Sequence, residues 1–118
     1  MTDADATRKE LIELFLRRTE AEVELMRRNV ALLTSNDAAA WQELRFHAQT
    51  ISRQAGSLGL AVLSACANEL GSLAEERFAG AILDAHFLLS TTSAIETIAI
   101  ELHELAGGER QRTERGEH

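Results

Sequence analysis

The chain contains no proline and no tyrosine, and only one tryptophan, one cysteine and four phenylalanines among its 118 residues. Without proline, the strongest breaker of helix interiors is missing throughout. The single cysteine, Cys66, excludes a disulfide within the chain and fits a reducing compartment, with packing as its default role. Apolar residues make up 45% of the sequence, and alanine, leucine and glutamate are abundant. This composition predicts an all-α domain that needs no sheet.

Positive charge is also scarce, since 12 lysines and arginines face 19 aspartates and glutamates, giving a net charge of −7. Nucleic-acid binding depends on clustered cations, so a nucleic-acid partner is not expected. No run of 18 apolar residues is present, and the first five residues are acidic where a signal peptide is basic and then apolar. We therefore expect a cytoplasmic protein with no membrane partner.

Apolar residues recur at alternating steps of three and four along four segments, which predicts four amphipathic helices. Asp37 is the expected N-cap of the second helix, and Gly59 is expected to turn the chain after it. The third helix should end in the charged stretch at Glu75, and the fourth should stop at the paired glycines that begin with Gly107. The inward stripes cover residues 12–33, 44–58, 60–74 and 81–106.

Short connections between long amphipathic helices favour antiparallel neighbours with shallow crossing angles. The sequence thus predicts an up-and-down antiparallel four-helix bundle over residues 1–108. A shorter N-terminal helix over residues 7–16 is either continuous with the first long helix or broken near residues 17–19. Residues 109–118 are polar and lack an apolar face, which predicts a disordered tail.

One face of the second helix carries a candidate binding surface. At about 100° per residue, its residues lie about 80° to 200° from the core-facing Leu44. The surface is polar and basic on an acidic protein, with an aromatic ring at its edge and a glycine gap, so it suits an acidic partner. The alternative is an ordinary solvated helix face. The residues of this surface are Arg45, Phe46, Gln49, Ser52, Arg53 and Gly56.

This segment resembles the histidine-containing phosphotransfer (HPt) domains of bacterial multistep phosphorelays. The likeness extends over residues 11–105 and implies the same order of four helices. It also implies a receiver domain or a sensor histidine kinase as the partner. In this alignment the phosphoryl-accepting histidine of the family is replaced by Gln49, its lysine by Ser52 and its glycine by Arg53. The matching residues are Ile51, Ala55, Gly56, Ser57, Leu58 and Gly59, followed by Leu63, Cys66 and Leu70.

The replacements predict a module that docks its partner without carrying phosphate. The chemistry of the family needs a free imidazole nitrogen, whereas the amide of Gln49 is not nucleophilic. An active phosphocarrier that uses His47 is one alternative, and a bundle with an unrelated scaffold role is another. His47 lies at about 300° around the helix from Leu44, close to the core stripe. This position favours a half-buried structural histidine paired with Glu43.

No residue pattern predicts a cofactor or a metal centre. The Glu-x-x-His pairs that hold dimetal sites in helical bundles do not occur, nor does a P-loop or a nucleophile elbow. His86, His103 and His118 are expected to be structural or solvated. As for assembly, the sequence is compatible with a monomer or a weak dimer.

Overall fold

The structure is a computed structural model that describes residues 3–114, all of which lie in helices or the short segments between them. No strand occurs in this range, which confirms the all-α fold class. Residues 3–114 form five helices rather than four. They are α1 (Asp3–Arg28), α2 (Val30–Thr34), α3 (Ala38–Ser57), α4 (Ala61–Phe78) and α5 (Ala85–Glu114).

The first predicted long helix is divided at Asn29. Upstream, α1 is continuous from Asp3, so no break occurs near residues 17–19. The carbonyl of Asn29 accepts bonds from the N–H groups of Leu32 and Leu33, and the chain therefore resumes a helical path within one residue. For this reason the apolar stripe survives the interruption, and Leu33 is buried like the stripe residues of α1.

The predicted helix cap at Asp37 and the predicted turn at Gly59 are both confirmed. The Asp37 carboxylate accepts a hydrogen bond of 3.1 Å from the N–H of Ala40 and caps the start of α3. Gly59 adopts a φ of 77° between α3 and α4, a left-handed conformation that favours glycine. Because α3 and α4 are joined by this tight turn, they pack closely along their length.

The last helix begins later than predicted. Residues 81–84 are not helical, and the Asp84 side chain accepts from the N–H of Phe87 at the actual helix start. Ala85, expected to point inward, is exposed, whereas Thr91 and Ile98 are buried although the predicted stripe omits them. The apolar and small residues of α5 spread around its circumference, so their spacing alone did not fix which side is buried.

The predicted helix end at Gly107 and Gly108 is wrong, because α5 continues to Glu114. Glycine ends a helix by adopting a positive φ. Among the described glycines, only Gly59 and Gly80 do so. The division between a bundle at 1–108 and a tail at 109–118 stays a prediction, and residues 115–118 lie outside the described range.

Contacts between helices fix the arrangement around the core. α3 packs on α4, α4 on α5 and α5 on α1, while α1 and α3 touch less extensively. Arg8 of α1 donates to the carbonyl of Leu58, and Glu22 approaches His47 of α3, so these two helices run antiparallel. Within the described residues, no helix has the length and apolar character needed to cross a membrane.

Candidate functional site

The candidate surface on α3, called here the α3 face, comprises Arg45, Phe46, Gln49, Ser52, Arg53 and Gly56. Phe46 is 62% exposed. Gln49, Arg53 and Gly56 are also exposed, whereas Arg45 and Ser52 are half-buried. The α3 face lies opposite the stripe that includes Ala48, Ile51 and Ala55, all fully buried. The predicted rotational phase of α3 is therefore confirmed for Gln49, Arg53 and the buried stripe.

Two residues of α4 that the sequence reasoning missed border the α3 face. The Gln49 amide donates to the Glu75 carboxylate at 3.2 Å, and Arg45 lies 3.6 Å from the same oxygen. The Arg45 guanidinium also lies 4.6 Å above the centre of the Phe78 ring. Glu75 thus partly neutralises a surface expected to be basic. Counting outward from the Gly59 turn places position 69 opposite Gln49, six residues short of Glu75, so the turn alone would not have identified this neighbour.

Arg53 is the exposed cation of the α3 face. Within residues 6–108, no hydrogen bond or ion pair joins its side chain to another residue. Arg45, by contrast, is held by Glu75 and Phe78. Since a solvated cation can form a new ion pair without breaking an old one, Arg53 is the group best suited to meet an acidic partner.

The Ser52 hydroxyl is directed at α4. It donates to the Ser64 carbonyl at 3.0 Å, and the Ser64 hydroxyl donates to the Ser52 carbonyl at 2.8 Å. The expectation that Ser52 points outward is thus wrong, because a position turned away from the core stripe is covered by the neighbouring helix. A methyl group at Gly56 would lie 3.5 Å from the Ser64 hydroxyl, an ordinary contact. Packing within the described chain therefore does not require glycine at position 56.

His47 lies on the other flank of α3, toward α1. Its side chain is 24% exposed, and its Nδ1 lies 3.7 Å from a carboxylate oxygen of Glu22. The ring also meets Phe46 edge-on, with centroids 5.8 Å apart. The predicted half-buried position is confirmed, but the nearby carboxylate belongs to Glu22 of α1 and not to Glu43. His86 and His103 are exposed, and His118 lies outside the described residues.

Comparison of the chain with family models, curated proteins and solved structures gives no match. The chemistry of the α3 face must therefore be interpreted from its own groups. They offer an amide, a guanidinium and an aromatic ring. Over the described residues, no three His, Cys, Asp or Glu side chains are grouped so as to hold a metal ion. Such groups can bind a partner through hydrogen bonds, charge and aromatic contact, but Gln49 supplies no nucleophile.

Proposed function

We propose that the chain is an HPt-like module of two-component phosphorelay signalling that docks a receiver domain or a sensor histidine kinase without carrying phosphate. In this proposal α1, α3, α4 and α5 form an up-and-down antiparallel four-helix bundle in the cytoplasm. The α3 face is the docking surface. Gln49 occupies the position from which an HPt histidine would transfer its phosphoryl group.

The observation that carries this proposal is the exposure of Gln49 beside Phe46 and Arg53 on one side of α3. The resemblance to HPt domains assigns the phosphoryl acceptor to that position. A glutamine amide can donate a hydrogen bond to a partner, as it now does to Glu75. It cannot attack the phosphorus of a phospho-aspartate and displace the aspartate carboxylate, because its nitrogen has no available lone pair. Binding is thus compatible with this residue, whereas transfer is not.

A binding titration with a panel of purified receiver domains tests the docking role. We expect at least one receiver to bind and Arg53→Glu to weaken binding about tenfold, since it replaces an attractive charge by a repulsive one. Lys9→Glu makes the same charge change near the start of α1, outside the α3 face, and should leave receiver binding unchanged. A failure of every receiver to bind, with Arg53→Glu without effect, would favour an unrelated scaffold role.

The second candidate is phosphotransfer through His47. The approach of Glu22 to Nδ1 favours it, because a carboxylate at one ring nitrogen orients the imidazole, and the side chain keeps some exposure. Incubation with a phosphorylated receiver should leave no acid-labile, base-stable label on the wild-type protein. A label that His47→Ala abolishes would replace the docking proposal by this one.

A gain-of-function variant tests the alignment itself. Gln49→His combined with Ser52→Lys and Arg53→Gly restores the family pattern and should create a phosphoryl acceptor. Because Ser52 bonds Ser64 on α4, the double variant that retains Ser52 is the matched control for folding. We expect acid-labile label on the introduced histidine in at least the double variant. Two folded variants that both stay unlabelled would contradict the alignment.

A further inference from the structure

A second apolar stripe runs along α1 on the side that the core does not use. Its members repeat at alternating steps of three and four, the heptad spacing of a helix that pairs with another helix. Leu14 is 59% exposed and Leu25 is 46% exposed, although both are large and apolar. The remaining members are exposed as well. The stripe, called here the outer stripe, consists of Leu11, Leu14, Arg18, Ala21, Leu25 and Arg28.

The outer stripe lies at the edge where α1 and α3 make few contacts. Beside the N-terminal half of the outer stripe lies a shallow groove, which is lined by Leu11, Leu14 and Phe15 of α1 and by Leu58 of the turn after α3. Arg18 bridges this groove by donating to Gln54 of α3 at 2.6 Å. No described helix of the chain covers the outer stripe, so its leucines stay in contact with solvent unless another molecule binds there.

When the outer stripe is laid against a reversed copy of itself, two of its leucines meet and no arginine meets an arginine. If two copies of α1 pair antiparallel about a two-fold axis between Arg18 and Ala21, Leu14 of one copy meets Leu25 of the other. Arg18 then meets the small Ala21, and Leu11 meets the aliphatic stem of Arg28. A parallel pairing would set each Arg18 against its equivalent, with like charges in contact. The stripe therefore selects the antiparallel two-fold arrangement.

Charges beside the outer stripe agree with the same arrangement. In the antiparallel register, Arg17 of one copy lies beside Glu24 of the other, and the two-fold axis repeats this pair. Both residues are exposed, and the Glu24 side chain has an exposed fraction of 53%. Flanking pairs of opposite charge stabilise the register in which they form and oppose others.

We infer that the outer stripe is a dimer interface that binds a second copy of this chain. The stripe from Leu11 to Arg28 is about 26 Å long, and with a helix diameter of about 10 Å it offers about 260 Å² per copy. A standard interface buries about 800 Å² per partner, so we expect a weak, concentration-dependent dimer. The inference does not depend on the proposed function, since Gln49 faces α4 and stays accessible in the dimer.

Sedimentation equilibrium of the full chain from micromolar to millimolar concentration tests the inference. We expect reversible association to a dimer and no larger species. Leu14→Glu should raise the dissociation constant at least about tenfold, because it buries a charge opposite Leu25. Leu89→Glu on α5 is the matched control, since Leu89 is 65% exposed and lies outside the stripe. A wild-type monomer at every concentration would overturn the inference.

Charge reversal tests the register. Arg17→Glu and Glu24→Arg should each raise the dissociation constant about threefold to tenfold, and the combined variant should return it close to the wild-type value. Circular dichroism of each variant establishes that it is folded. Dimerisation that is insensitive to both single reversals, or a combined variant no better than the singles, would refute the antiparallel pairing through α1.

Discussion

Trp41→Phe is the sharpest test of how the short helix α2 is joined to the core. Trp41 is 1% exposed, and its indole Nε1 donates to the carbonyl of Leu33 at 3.2 Å. Its ring lies 5.8 Å from that of Phe87 on α5. One side chain thus joins α2, α3 and α5. Phenylalanine keeps most of the ring contact but cannot donate the hydrogen bond.

The expected loss of stability has two parts. Loss of the indole hydrogen bond costs about 0.5–1.5 kcal/mol, because the Leu33 carbonyl still accepts a bond of 3.1 Å from the N–H of Asn36. The smaller ring leaves a partial cavity worth about 1 kcal/mol. The total of about 1.5–2.5 kcal/mol is a substantial share of the roughly 5–15 kcal/mol that stabilises a typical domain. For a chain of this length, a loss of about 2 kcal/mol already lowers the melting temperature by roughly 8 °C.

Urea unfolding followed by far-ultraviolet circular dichroism measures the change, because the variant lacks the only tryptophan of the chain. Phe46→Leu is the control, since Phe46 is 62% exposed and should shift the free energy of unfolding by less than about 0.5 kcal/mol. If Trp41→Phe is as mild as this control, the indole does not bond Leu33 and the attachment of α2 to the core is misassigned.

Three further outcomes test other regions. Arg27 hydrogen-bonds Glu96 and lowers the pKa of that carboxyl, so this contribution to stability is present above pH 4.5 and is lost as pH falls through the lowered pKa. Glu96→Gln should therefore make the melting temperature less sensitive to acid. If the melting temperatures of variant and wild type fall equally as pH is lowered, the ion pair is contradicted. Burial raises the pKa of the Cys66 thiol, so iodoacetamide should react more slowly with it at about pH 7.5 than with free cysteine, and equal rates would refute that environment. Finally, Glu75→Gln removes the charge beside Arg45 and should tighten docking of an acidic receiver about threefold, whereas weaker binding would count against the α3 face.

Local signals in the sequence predicted much of the fold. The stripe that includes Leu16, Val23 and Met26 is buried, as its regular three-four spacing predicted. The Asp37 cap and the Gly59 turn were also predictable, since each depends on a residue type that suits a specific backbone geometry.

Features that depend on neighbouring helices were not predictable in the same way. No glycine or proline near Asn29 indicates the break in the helix there. Gly107 stays helical because glycine permits a left-handed turn without requiring one. The buried side of α5 depends on where α1 and α4 approach it. The indole of Trp41 satisfies the carbonyl of Leu33 eight residues earlier, a contact that the stripe of α3 does not specify.

The two flanks of α3 illustrate this difference at the candidate site. A helical angle states how far a side chain is turned from the core stripe, but not which neighbouring helix covers it. Gln49 and Ser52 are both turned toward α4, yet Gln49 stays exposed because its contact is the tip of Glu75, whereas Ser52 meets the backbone of Ser64 directly. His47 is turned the opposite way, toward the open edge of α1. Because α4 and α1 approach different flanks, the proposed partner at Gln49 and the inferred second copy on α1 would not compete, and such a dimer would present two docking faces.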